Sequence, residues 1–181
     1  MINDRNPEKS SKAAIRSTEE LLAHAYAIEA EAEERYRELA IQMEVHNNTE
    51  VAALFRKLAD YEGEHAREIE ARAANMSLPS LAPWEYKWSH AEAPELVDTL
   101  ALHYLMSPQM VLSLALDAER QAFDFFSDVA ATATETGLSE IALIFAAEEK
   151  DHIRMIEDMI ERLGPTSTEW DEDLDTPSAQ G

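Results

Sequence analysis

The sequence predicts an all-α protein, a four-helix bundle built from two antiparallel helical hairpins joined by a long crossover. Three observations predict it. Apolar residues recur in steps of three and four along four long stretches. Only 4 glycines occur in 181 residues, so those stretches run without helix breakers. The second half of the chain repeats the residue pattern of the first. A chain of this length forms one domain with a full core.

Residues 1–16 read as a polar N-terminal arm and residues 17–164 as the bundle. The first helix is expected over 17–45, with Leu21/Leu22, Ala25, Ile28, Ala32, Tyr36, Leu39 and Met43 along one stripe. Ser17 or Thr18 can cap its start, with Glu20 in the first turn. Asn47-Asn48-Thr49 breaks the pattern and caps a second helix over about 50–75, which turns Val51, Leu54/Phe55, Leu58, Tyr61, His65 and Ile69 inward. So short a connection makes the two helices antiparallel neighbours.

Residues 76–106 read as an irregular crossover, because Pro79, Pro83 and Pro94 interrupt any periodicity. A short helix is expected near 95–105, and Trp84, Trp88, Tyr104, Leu105 and Met106 are expected to cover the bundle or form a dimer face. The third helix is expected over 108–134, with Leu112, Leu116, Ala122/Phe123, Phe126 and Val129 inward. Gly137 reads as a break and Ser139 as the cap of a fourth helix, which ends near 163 at Gly164-Pro165. Residues 165–181 are acidic and poor in hydrophobics, the composition of a disordered tail.

Composition narrows the function classes. Hydrophobic residues make up 45% and charged residues 29%, an ordinary soluble composition. The absence of cysteine excludes disulfides, iron–sulfur clusters, thiolate zinc sites and a cysteine nucleophile. A formal charge of −22 repels nucleic acid and anionic membrane and attracts metal cations. The opening MINDRNPEKSSK has no apolar segment, and no run approaches the roughly 18 apolar residues of a membrane span. No secretory signal or membrane anchor is expected, and the expected location is the cytoplasm.

Two motifs carry the chemistry. Glu62-Gly63-Glu64-His65 and Glu149-Lys150-Asp151-His152 each place a carboxylate and an imidazole one helical turn apart on one face. Such a pair is cheap in so acidic a chain, and its weight comes from position. Glu29, Ala32, Tyr36 and Ala40 recur as Glu119, Ala122, Phe126 and Ala130 at a constant offset of 90, and the two Glu-x-x-His motifs are offset by 87. All six residues lie on the inward stripes. Four buried carboxylates left ionised and unpaired cost several kcal/mol each. No lysine or arginine shares those stripes, so two divalent cations are the expected counter-charge. Glu29, Glu62, His65, Glu119, Glu149 and His152 are therefore the candidate ligands of a carboxylate-bridged two-metal site. Oxygen and imidazole donors suit iron or manganese, and zinc and cobalt also fit.

Tyr36 shares the face of Glu29 two turns on, as a packed core tyrosine or a group hydrogen-bonded to a metal-bound carboxylate. Asp60, Asp117 and Asp151 flank ligands, as solvated residues or as partners of the histidines' second nitrogens. His24, His46, His90 and His103 belong to no such pattern and read as surface or packing residues.

The stretches AIEAEAEERYRELA, DYEGEHAREIE, LALDAERQAFDFF and FAAEEKDHIRMIE resemble the rubrerythrin branch of the ferritin-like superfamily. The resemblance implies a ferritin-like bundle with two irons bound at the six residues. It implies bridging carboxylates at Glu62 and Glu149 and terminal ones at Glu29 and Glu119. The chain departs from peroxide-reducing rubrerythrins in three ways. It has no cysteine and hence no rubredoxin module, so it needs an external electron donor. Ala122 stands where those enzymes carry an additional glutamate, leaving a set of six that looks like the ferroxidase centre of bacterioferritins. Its crossover, with LAPWEYKW and LHYLMSPQ, is longer.

The expected function is that of a diiron-carboxylate redox protein, which oxidises Fe(II) with O2 or reduces peroxide. Its expected assembly is a homodimer. The rival is a non-catalytic metal-binding or iron-storage bundle acting as an interaction module.

Overall fold

The structure is a computed structural model that describes residues 14–88 and 106–164. Four long helices carry it: α1 (Thr18–Val45), α2 (Thr49–Arg72), α3 (Pro108–Thr132) and α4 (Thr136–Leu163). The helix expected near 95–105, the acidic tail, and Tyr104 and Leu105 lie outside the described residues. None of the described helices is long and apolar enough to cross a membrane.

Three of the four helices begin at a side-chain cap. The Ser17 hydroxyl accepts from the Glu20 amide at 3.1 Å and caps α1. After α1, Asn47 takes a left-handed φ of 59°, a conformation asparagine tolerates, and Asn48 caps α2 by accepting from the Val51 amide. Ser107 caps α3, and Pro108 begins it without needing an amide donor. The fourth helix departs from expectation. It starts at Thr136, not after a break at Gly137, and Ser139 lies inside its first turn, its hydroxyl donating to the Ala130 carbonyl at 3.0 Å. Gly137 is tolerated there because it faces open space in a turn whose amides need no helical partner. The helix ends at Gly164, whose φ of 73° favours glycine.

The hairpins α1–α2 and α3–α4 each pack chiefly on themselves and meet through α2–α3 and α1–α4 contacts. Their connections are equally short, so the three-residue difference in repeat offset lies in helix length. The α1 helix runs 16 residues beyond Glu29, whereas α3 runs 13 beyond Glu119.

The core falls into two apolar layers. One contains Tyr36, Leu39, Phe55, Leu58, Leu112 and Ile156, at the end where α1 turns into α2. The other contains Leu21, Ile28, Ile69, Phe126, Leu138 and Phe145, at the opposite end. Along every helix one glutamate stands where one layer gives way to the other: Glu29, Glu62, Glu119 and Glu149, all buried.

The crossover is strapped to the start of α1. Trp88 is buried in the second layer, against His24 and Tyr86. His24 is fully enclosed: its Nδ1 donates to the Glu20 carbonyl at 2.8 Å, and its Nε2 accepts from the Lys87 amide at 3.2 Å. Lys87 also pairs with the Glu20 carboxylate and donates to the Ala14 carbonyl. Ile15 is buried beside this strap, so packing begins before the first helix. Of the residues expected to cover the bundle, Trp88 and Met106 are buried, whereas Trp84, within a 3₁₀ turn over Pro83–Glu85, is 86% exposed.

Candidate metal centre

The polar layer brings all six expected residues together as two facing groups. Glu29, Glu62 and His65 form one; Glu119, Glu149 and His152 form the other. Within each group the donor atoms lie within 4.8 Å of one another, a separation that one ion can span. His65 Nδ1 lies 3.6 Å from Glu29 and 3.7 Å from Glu62. His152 Nδ1 lies 3.3 Å from Glu119 and 3.2 Å from Glu149. Helix geometry sets this arrangement, because the i, i+3 spacing of Glu-x-x-His turns both side chains toward the helix opposite.

The electrostatics follow from the burial. Removal from water, then repulsion by Glu62, Glu149 and Glu119, holds the Glu29 carboxyl well above its ordinary range. Burial, with the charge of Glu119 beside it, raises Glu62, and burial pushes Glu149 up to about 8. Burial opposes a charged His152, but hydrogen bonds to Glu119 and Glu149 outweigh it and push that imidazole up to about 11. Four buried carboxylates beside one raised imidazole leave the site short of positive charge. Among the described residues, one carboxylate oxygen each of Glu29, Glu62 and Glu119, and Nδ1 of His65, are buried with no hydrogen-bond partner. Buried polar atoms rarely go unsatisfied, and those of this donor set fit two divalent cations, which would satisfy the orphaned atoms and offset the carboxylate charge.

Tyr36 is buried in the first apolar layer and stacks on Phe55 at 5.9 Å. Asp60, Asp117 and Asp151 do not reach the histidines' second nitrogens. They lie on the surface, paired with Arg37, Arg120 and Arg154. Sequence reasoning missed the pair of Arg72 with Glu148 beside the centre, since it joins two helices and leaves no local pattern.

Fold and site define a ferritin-like bundle with a candidate dinuclear carboxylate–histidine centre. The rubrerythrin family model matches residues 20–104. A solved structure of an uncharacterized conserved protein from Magnetospirillum magnetotacticum MS-1 is 36% identical, with a TM-score of 0.62, over 81% of this chain and 95% of that one. The chain belongs to the rubrerythrin family. Comparison with curated proteins gives no significant match.

Proposed function

We propose that this protein is a diiron-carboxylate redox protein that takes up two Fe(II) ions and oxidises them with O2 or hydrogen peroxide. The observation that carries the reading is the pair of Glu-Glu-His groups facing each other in a buried layer with unsatisfied donor atoms. Glu29, Glu62 and His65 hold one ion, and Glu119, Glu149 and His152 the other. Bound iron would supply the reversible one-electron redox chemistry of the centre. With Fe(II) as substrate, two ions give up one electron each. One hydrogen peroxide accepts both electrons with two protons and leaves as two waters.

The residues provide the setting. The carboxylates keep two cations close together by offsetting their charge, and the apolar layers above and below exclude bulk water. Burial also means that Glu29 and Glu149 give up protons as cations arrive. Ala122, and the lack of cysteine, favour Fe(II) oxidation over peroxidase turnover, which here requires an external electron donor. The same features support a second reading, a metal-holding bundle without turnover that carries iron, manganese or zinc. Cytoplasmic location and a homodimer complete the proposal, with no role for nucleic acid or membrane.

Anaerobic titration of the metal-free protein with Fe(II), followed by mixing with O2 or peroxide, tests it. Two irons per chain and a rise in near-ultraviolet absorbance on mixing are expected. Saturable binding without oxidation overturns the redox function and leaves the second reading.

A further inference from the structure

The centre is not enclosed evenly. Its four carboxylates are buried, whereas the side chains of His65 and His152 remain 24% and 16% exposed. A cavity of about 250 Å³ explains the difference. It begins at Glu29 and Glu149, passes both histidines and reaches the surface between α2 and α4. Its mouth is made by Glu68 and Arg72 of α2 and by Glu148 and Asp151 of α4. Arg72 is its only arginine or lysine among the described residues. The Arg72 guanidinium reaches across to pair with Glu148 and lies over the Phe145 ring, 5.4 Å from its centroid.

We propose that this opening is the route by which divalent cations reach the centre, and that the Arg72–Glu148 pair is its latch. The inference rests on the metal-binding reading above. Glu68, Glu148 and Asp151, the last paired in turn with Arg154, form an acidic rim that draws a cation toward the carboxylates beneath. Arg72 opposes entry twice, by repelling the incoming ion and by occupying the Glu148 carboxylate that the ion would meet first. Both partners are more than a third exposed, so the pair is only weakly held and parts readily. Phe145, itself buried, gives the guanidinium a place to rest and returns it to the closed position.

The test is stopped-flow loading of metal-free protein with Co(II) alone, followed by its visible absorbance, beside equilibrium dialysis for stoichiometry. Arg72→Gln removes the charge and keeps most of the side chain. It is expected to load faster, and Glu68→Gln with Asp151→Asn slower, each by roughly three- to tenfold, at or below the lower bound of whole-field electrostatic steering because only one or two charges change. All variants are expected to retain two ions per chain. Arg56→Gln is the control. It makes the same change in net charge at the far end of α2, where Arg56 pairs with Glu44, and its rate is expected to match the original protein. Equal acceleration by Arg56→Gln, or unchanged rates in the mouth variants with two ions still bound, overturns the route and leaves the centre intact. Failure of the unaltered protein to bind Co(II) saturably removes the centre and the route together.

Discussion

The imidazole rings of His65 and His152 lie parallel, 5° apart in orientation, with centroids separated by 4.2 Å. Each belongs to one half of the internal repeat, and each turns its Nδ1 toward carboxylates of its own half. The stack is thus where the two halves meet at the centre, and two donor groups face one another across it.

Removing one carboxylate from each group removes the centre while sparing the fold. Glu62→Ala combined with Glu149→Ala is expected to abolish binding of two metal ions, measured by equilibrium dialysis with Mn(II) or Fe(II). Helix content by circular dichroism is expected to stay nearly unchanged, because the two apolar layers hold the helices together.

The metal-free protein is expected to lose stability as pH rises. Folding raises Glu149 from 4.5 to about 8 and raises Glu29 and Glu62 as well, so the folded state holds more protons than the unfolded chain. The stability these groups contribute is complete below about pH 4.5 and is lost progressively as pH climbs through 8. His152, raised from 6.5 to about 11, extends the loss in the same direction. Denaturant melts of metal-free protein between pH 5 and 9 check this, and Glu149→Gln is expected to flatten the slope.

Metal is expected to reverse that weakness. Ligand at about a thousandfold excess over its dissociation constant stabilises by about 4 kcal/mol per site. For a chain of this size that corresponds to a rise in melting temperature on the order of 10 °C for each site filled. Calorimetry before and after adding a chelator checks it.

His24 has the opposite pH dependence. Burial lowers its pKa below 6.5, with hydrogen bonding to Glu20 only partly offsetting the effect. Its contribution is therefore present above about pH 6.5 and is lost as pH falls through the lowered value. His24→Ala leaves the Lys87 amide and the Glu20 carbonyl without this partner and is expected to cost about 1–3 kcal/mol. Denaturant melts check the loss, and proteolysis of the crossover is expected to quicken.

The helices were legible because each carries a long apolar stripe, and the candidate ligand set was legible because duplication repeats it at equivalent places in the two halves. What escaped the sequence depends on distance or on local tolerance. The partner of His24 is a backbone amide 63 residues away, and Arg72 meets Glu148 across 76 residues. Gly137 reads as a break, yet a first helical turn with nothing near its Cβ position accepts it. The flanking aspartates read equally as solvated residues or as partners of the histidines, and the choice fell to surface arginines at i, i+3 or across helices that pair with them.

The most direct measurement is anomalous diffraction at the iron edge from crystals of protein loaded anaerobically with Fe(II). Two peaks per chain are expected, one among Glu29, Glu62 and His65 and one among Glu119, Glu149 and His152. A map without anomalous density in the polar layer, or with iron only on the acidic surface, would contradict a dinuclear centre.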